Sequence, residues 1–579
     1  RDLHSFPTRR SSDLDLATIK DYAFWNCPNL ATVHFNAVNC TSMVTNSQYA
    51  VFNSGISSGE PTPIVTLTIG NSVTRIPDYA FRGSSNMTCD VLLPASTTYL
   101  GIYSFAYSSG HNVFTGNGVT VIPHHAFYQS SGFVGTLQFG GALTTVEQNA
   151  FEECSGFTGS LVFPNTVTSL GDYSFHNCSG FNGTLTLSEA LTTINQHTFD
   201  GCSGFIGSLV IPNATTLIEQ YAFYSCSSIE ELTIGEGMSE IKGYAFWNCP
   251  QMQTVHFNAV NCTSMVTNSQ YAVFNSTTTT GDATPIVILT IGNSVTRIPD
   301  YAFRNSNSLT SHINIPNATT YVGLYSFYGA KSPELTIGEG VVTIKDYAFW
   351  NCPQMQTVHF NAVNCTTMVT NSQYAVFNSG TSNGGSTPIV TLTIGNNVTR
   401  IPEYAFIKSN NMTCDVMIPN SVTYLGSYSF AYCSGHNVFT GNGVTVIPHH
   451  AFYQSSGFVG TLQFGSALTT VEQNAFEECS GFTGSLVFPN TVTSLGDYSF
   501  HNCSGFNGTL TLSEALTTIN QHTFDGCSGF IGSLVIPNAT TLIEQYAFYS
   551  CSSIEELTIG EGMSEIKGYA FWNCPQMQT

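Results

Sequence analysis

The chain has 579 residues and a net charge of -22, from 36 acidic against 14 basic side chains. With no basic stripe to displace counterions, nucleic-acid binding is excluded and anionic membrane surfaces are disfavoured. Charged residues make up only 9%, against about 25% in typical globular domains, so Asn, Ser, Thr and Gly must carry the solvated surface; no apolar run approaches the ~18 residues of a membrane span.

Residues 1–14, RDLHSFPTRRSSDL, hold three of the basic residues and lack the apolar core of a signal peptide. The string does not fit the repeat and resembles a translated sequencing adaptor, an artefact outside the fold. From Asp15 a repeat frame begins with LATIKDYAFWNCPNL. Its marker, [AST]-F, recurs twenty times from Phe24 to Phe571 at spacings of 22 to 24, with gaps of 57 after Phe24, Phe246 and Phe349. Each gap contains YAVFNS, which puts Phe52, Phe274 and Phe377 in the marker role and divides 57 into 28 and 29. On this count residues 15–579 form one solenoid of about 23 turns, a path of about 110 Å at the strand spacing. The tips of the long turns, from Asn53, Asn275 and Asn378, are rich in Gly, Ser, Thr and Pro and read as mobile loops.

The frame is fullest from Leu137 to Ser160, LQFGGALTTVEQNAFEECSGFTGS, and returns at Leu161, Leu185 and Leu209. Leu137 and Phe139 alternate with Gln138, so a short strand sends two side chains inward and one outward. Leu143, Val146, Phe151, Cys154 and Phe157 return on the far side, and no turn buries them alone. Stacking supplies the partner, each turn meeting the same residue types about 4.8 Å away.

A larger period overlies this one. Residues 16–254 reappear at 341–579 with an offset of 325, VFTGNGVTVIPHHAF starting at Val113 and again at Val438. The chain stops at WNCPQMQT where two earlier copies continue into VHFNAV, so both ends read as truncated, without visible capping turns.

Segments such as LTIGEGVVTIKDYAFWNCPQMQT from Leu335 and NAVNCTSMVTNSQYAVFNS from Asn36 resemble the BspA-like class of leucine-rich repeats, found mostly in cell-surface proteins of microbes. The resemblance covers everything after the first fourteen residues. It implies a right-handed leucine-rich-repeat coil with a parallel concave β-sheet and short helical turns or irregular segments on the convex side. It also implies a cell-surface or secreted protein, with adhesion and host interaction the usual role.

Thirteen of the 18 cysteines sit three residues after a marker Phe, Cys154, Cys178, Cys202 and Cys226 among them. This makes an inward ladder of free thiols the expectation. Ladder disulfides are the alternative, because stacked neighbours fall within disulfide reach although parallel inward side chains seldom attain the torsion. No C-x2-C pair occurs, and no metal or cofactor is expected. His124 and His125, repeated at His449 and His450, are the only paired histidines and lack a third ligand. Acids such as Glu152 and Glu153 read as a solvated rim.

The concave sheet is the natural binding face. Its outward positions are Thr136, Gln138, Ser160, Val162, Thr184, Thr186, Ser208, Val210, Glu231 and Thr233, mostly hydroxyls suited to a glycan or an extended peptide. They are also good exposed strand residues in their own right. Trp247 and Trp350, with Trp25 and Trp572, follow the marker Phe in AFWNCP, immediately before a long turn, and read either as junction covers or as contact spots. Catalytic fingerprints such as G-x-S-x-G, H-E-x-x-H or a P-loop are absent from the sequence. The expectation is a non-catalytic, adhesin-like binding protein whose partner is a host or neighbour-cell protein or glycan. The alternative is a structural spacer or surface coat without a specific ligand.

Overall fold

The computed structural model describes residues 16–43, 51–52, 63–265, 273–274, 284–368, 375–377 and 387–578. Segment 1–14 and nearly all of the long-turn tips lie outside the described residues. Two compact units, Arg1–Ile286 and Val287–Thr579, are each built the same way.

Among the described residues most turns of the coil contribute two short strands, some add a third, as at Ser109–Gly110 and Gly132–Phe133, and successive turns pair in parallel. In the first ladder, Leu161–Val162 pairs with Leu185–Thr186, and Gly207–Val210 with Ile229–Ile234. Leu137 is buried and Gln138 exposed, as the alternation requires. The second ladder is a finding, since Val146 alone read as an inward residue. Thr145–Val146 is a strand paired with Val121–Ile122 on one side and Ser169–Leu170 on the other, in a six-stranded sheet.

No helix occurs among the described residues, so of the two options for the far side the irregular one holds. The hydrogen bonds explain why. In the turn after Val146, the N–H groups of Asn149, Phe151 and Glu153 donate to the carbonyls of Asp172, Ser174 and His176 in the next turn, at 3.0, 2.8 and 2.7 Å. Those of Ala150 and Glu152 close local three-residue turns instead. Donors committed to the neighbouring turn cannot build a helical ladder. The same pattern forces two residues per turn into the left-handed region, as at Tyr173 (φ 57) and Asn177 (φ 58). That costs an L-residue about 1–2 kcal/mol, offset by donation from Tyr173 N and Asn177 N to Gln196 and Asp200.

The core is columnar. Phe105, Phe127, Phe151, Phe175, Phe199 and Phe223 stack at 4.9 to 5.6 Å, each fully buried. Phe52 stacks between Phe24 and Phe81, and Phe377 between Phe349 and Phe406, so YAVFNS does supply the marker ring of the long turns. Beside the rings runs the cysteine ladder. All eighteen cysteines are free, and from Cys154 onward the ladder thiols donate to the carbonyl of the marker Phe one turn back, as from Cys154 to Phe127, Cys178 to Phe151 and Cys202 to Phe175, at 2.9 to 3.0 Å. Next in the motif, Gly180 is required because an added Cβ would run into the Ser155 carbonyl.

Candidate functional site

The outward positions of the first ladder divide into two rows. Gln138, Val162, Thr186 and Val210 stand exposed, with Val162 and Val210 more than half accessible. Val162 lies directly beside Thr186, and Val210 beside the half-buried Thr233. The row two residues earlier is used between turns. Thr136 donates through its N–H and its hydroxyl to Asn112 Oδ1 (2.8 and 3.0 Å), and Thr184 does the same to Ser160 Oγ (3.0 and 3.2 Å). Ser208, also exposed, pairs in register with Glu231, which contacts His256 at 2.6 Å. The hydroxyl-rich face is therefore partly a set of inter-turn braces.

Three members of the face escaped the sequence frame. Leu92, exposed, and Phe114, half-buried, continue the outward row before Gln138, through the pairings of Val91–Leu92 with Val113–Phe114 and of Phe114 with Gln138. Their counterparts Met417 and Phe439 precede Gln463. The row thus alternates aliphatic or aromatic with polar side chains more than its hydroxyl content suggested. The third is Asp90, whose carboxylate takes hydrogen bonds from Asn112 N and Nδ2 at 3.0 and 2.8 Å and lies 3.1 Å from His111 Nδ1. The Asn112 N–H foremost, with His111 beside it, holds the Asp90 carboxyl below its ordinary value. The signal was available: DVLL and HNVF keep the outward parity of the frame but lack its leading Leu.

Trp247 and Trp350 lie elsewhere, in the turn segment after the second ladder. Trp247 keeps 9% exposure and packs against Tyr224 and Tyr244 at 5.5 and 4.9 Å; Trp350 is half-buried between Tyr328 and Tyr347. They do not join the strand face.

His124 and His125 touch through their Nδ1 atoms at 3.1 Å, and His125 stacks on Tyr103, where burial pushes its imidazole below the ordinary value. Among the described residues no group of three His, Cys, Asp or Glu is placed to hold a metal ion. Glu152 departs from the solvated rim expected of it. It is half-buried 3.3 Å from His176, whose other nitrogen lies 3.8 Å from Asp200, itself 2.6 Å from His197. Burial raises the Asp200 carboxyl, opposed by these imidazoles. Desolvation displaces the thiols of Cys154, Cys178 and Cys226 upward, and those of Cys249 and Cys352 to about 12, so these are not ready nucleophiles.

A parallel solenoid of short strands, with buried Leu, Phe and Cys columns, defines a leucine-rich-repeat protein. The chain belongs to the BspA-type leucine-rich-repeat family, whose model matches residues 17–158, 144–280, 282–383, 384–504 and 469–579. Similar solved structures include a leucine-rich cell surface protein of Faecalibacterium prausnitzii, 20% identical over 75% of this chain and 82% of that one, with a TM-score of 0.23. A leucine-rich-repeat protein of Bacteroides ovatus is 15% identical over 84% and 85%, with a TM-score of 0.23. The pneumococcal vaccine antigen PcpA is 11% identical over 71% and 84%, with a TM-score of 0.21. No curated protein matches the chain in sequence. No helix among the described residues is long and apolar enough to cross a membrane.

Proposed function

We propose that this chain is a non-catalytic, adhesin-like binding protein of a cell surface or secreted fraction, using the outward face of the first ladder to engage a host or neighbour-cell protein or glycan. The observation that supports it is the outward row Leu92, Phe114, Gln138, Val162, Thr186 and Val210, exposed except at the half-buried Phe114, held by backbone ladders and recurring at Met417, Phe439, Gln463, Val487, Thr511 and Val535. Alternating apolar and hydrogen-bonding groups on a rigid surface suit a ligand without an ordering cost on the protein side.

The braces at Thr136 and Thr184 favour a second reading, a spacer whose polar face serves only its own turns. Binding of the fluorescently labelled chain to cultured epithelial cells separates the two. Thr186→Lys with Thr511→Lys, and Gln138→Lys with Gln463→Lys, should each weaken cell binding about tenfold, equivalent to ~1.4 kcal/mol, with the melting temperature unchanged. Binding that is absent, or identical in the lysine variants, would favour the spacer.

A further inference from the structure

The Asp90 cluster is placed to do more than brace two turns. Asn112 uses its whole amide: Nδ2 donates to Asp90 Oδ1 at 2.8 Å and lies 2.7 Å from His111 Nδ1, and Oδ1 accepts from Thr136 N and Oγ1. His111 Nδ1 stands between the Asn112 amide and the Asp90 carboxylate, so Nε2 is the ring atom left for a ligand, accepting when Nδ1 carries the proton and donating when it does not. Asp90 Oδ2 and His111 Nε2 meet no protein partner among the described residues, and both side chains are well exposed, at 40% and 55%. A carboxylate oxygen and an imidazole nitrogen thus stand side by side, each side chain fixed by its other atom.

His111 also lines a groove of about 370 Å³ with Ser85, Thr88, Ser109 and Val134. Val134 is 59% exposed, as is 53% of Leu92 on the strand that follows Asp90. Hydroxyl groups, a fixed carboxylate, an imidazole and the exposed Val134 make up one small surface. The same cluster recurs at Asp415, His436, Asn437 and Thr461 with distances of 3.0, 2.8, 2.7 and 2.8 Å.

The geometry points to a saccharide-binding site at Asp90 and His111, repeated at Asp415 and His436, that takes neutral sugars. Neighbouring sugar hydroxyls donate to the carboxylate and pair with the imidazole, while the C–H face of the ring covers Val134. Two vicinal hydroxyls, each able to donate and to accept, match the carboxylate and the imidazole together, which a lone carbonyl does not. An anionic ligand is disfavoured, because the Asn112 N–H keeps Asp90 ionised and the chain carries -22 overall.

This rests on the binding-protein reading and gives it a ligand class. The test is calorimetric titration of the full chain with three neutral probes, mannotriose, cellotriose and N-acetylated chitotriose. At least one should bind at two sites per chain with a low-millimolar or tighter Kd. Asp90→Ala with Asp415→Ala, and separately His111→Ala with His436→Ala, should each weaken it about tenfold or more. The histidine pair guards against misfolding, since those exposed rings brace nothing beyond the cluster. No binding by any probe, or a Kd indifferent to both double variants, overturns the site. If cell binding still responds to Thr186→Lys with Thr511→Lys while no saccharide binds, only the saccharide site falls; if both fail, the binding-protein reading falls with it.

Discussion

Ser108 and Cys433 stand at the same place in the two copies of the 325-residue repeat, one in each unit. Ser108 Oγ donates to the Phe81 carbonyl at 2.9 Å and Cys433 Sγ to the Phe406 carbonyl at 3.1 Å. Ser130 does the same to Phe105, and in the long turns Thr284 and Thr387 reach back to Phe246 and Phe349. The position therefore asks for a small side chain with one proton to give, and thiol chemistry is incidental to it. Cysteine recurs because it supplies that donor while burying as a hydrophobe.

If the columns rather than the thiols hold the coil, the largest loss should come from a ring. Phe151 lies between Phe127 and Phe175 at 4.9 and 5.1 Å with no exposure. Phe151→Ala should cost about 3–5 kcal/mol, read as a drop in thermal or urea midpoint; an unchanged midpoint would remove the ring column from the account. Cys178→Ala should cost less, about 1–2 kcal/mol. It removes a hydrogen bond of ~1 kcal/mol and a little volume, while the Phe151 carbonyl keeps its bond from Cys154 N. Cys178→Ser should restore most of that loss, and a serine variant as unstable as the alanine would mean that packing, not donation, sets the position.

The Phe and Cys columns were legible because a 24-residue frame repeats a bulky side chain where only stacking can bury it. Three other features were not. The second ladder is two residues deep at Thr145–Val146, too short for a period-2 pattern to show. The equivalence of Ser108, Ser130 and Thr284 to the cysteines is invisible when residues are sorted by hydrophobicity, since the shared property is a donated proton. Asp90 and His111 were passed over because their turn opens on Val rather than Leu, although outward parity runs through them. Trp247 and Trp350 were ambiguous in sequence because each is both large enough to cover a junction and suited to a contact; the rings of Tyr244 and Tyr347 against them are brought there by the turn.

The smallest effect at neutral pH, and the sharpest test of the comparison, is the swap itself. Cys433→Ser and Ser108→Cys should each change stability by less than about 1 kcal/mol at pH 7, since both residues make the same bond. Their difference emerges in alkali. Desolvation raises the Cys433 thiol from 9.0 to about 12, so between those values the unfolded chain gives up a proton that the folded chain keeps. Stability from that site is complete below pH 9 and is lost as pH rises toward 12, by roughly 1.4 kcal/mol per pH unit. Serine has no such proton to lose. Cys433→Ser should therefore unfold less readily than the parent above pH 9, and Ser108→Cys more readily, measured as the pH dependence of the urea midpoint of each variant relative to the parent. Parallel curves for all three proteins would mean that the Cys433 thiol reaches solvent in the folded chain, and that the two copies differ in more than the atom that donates.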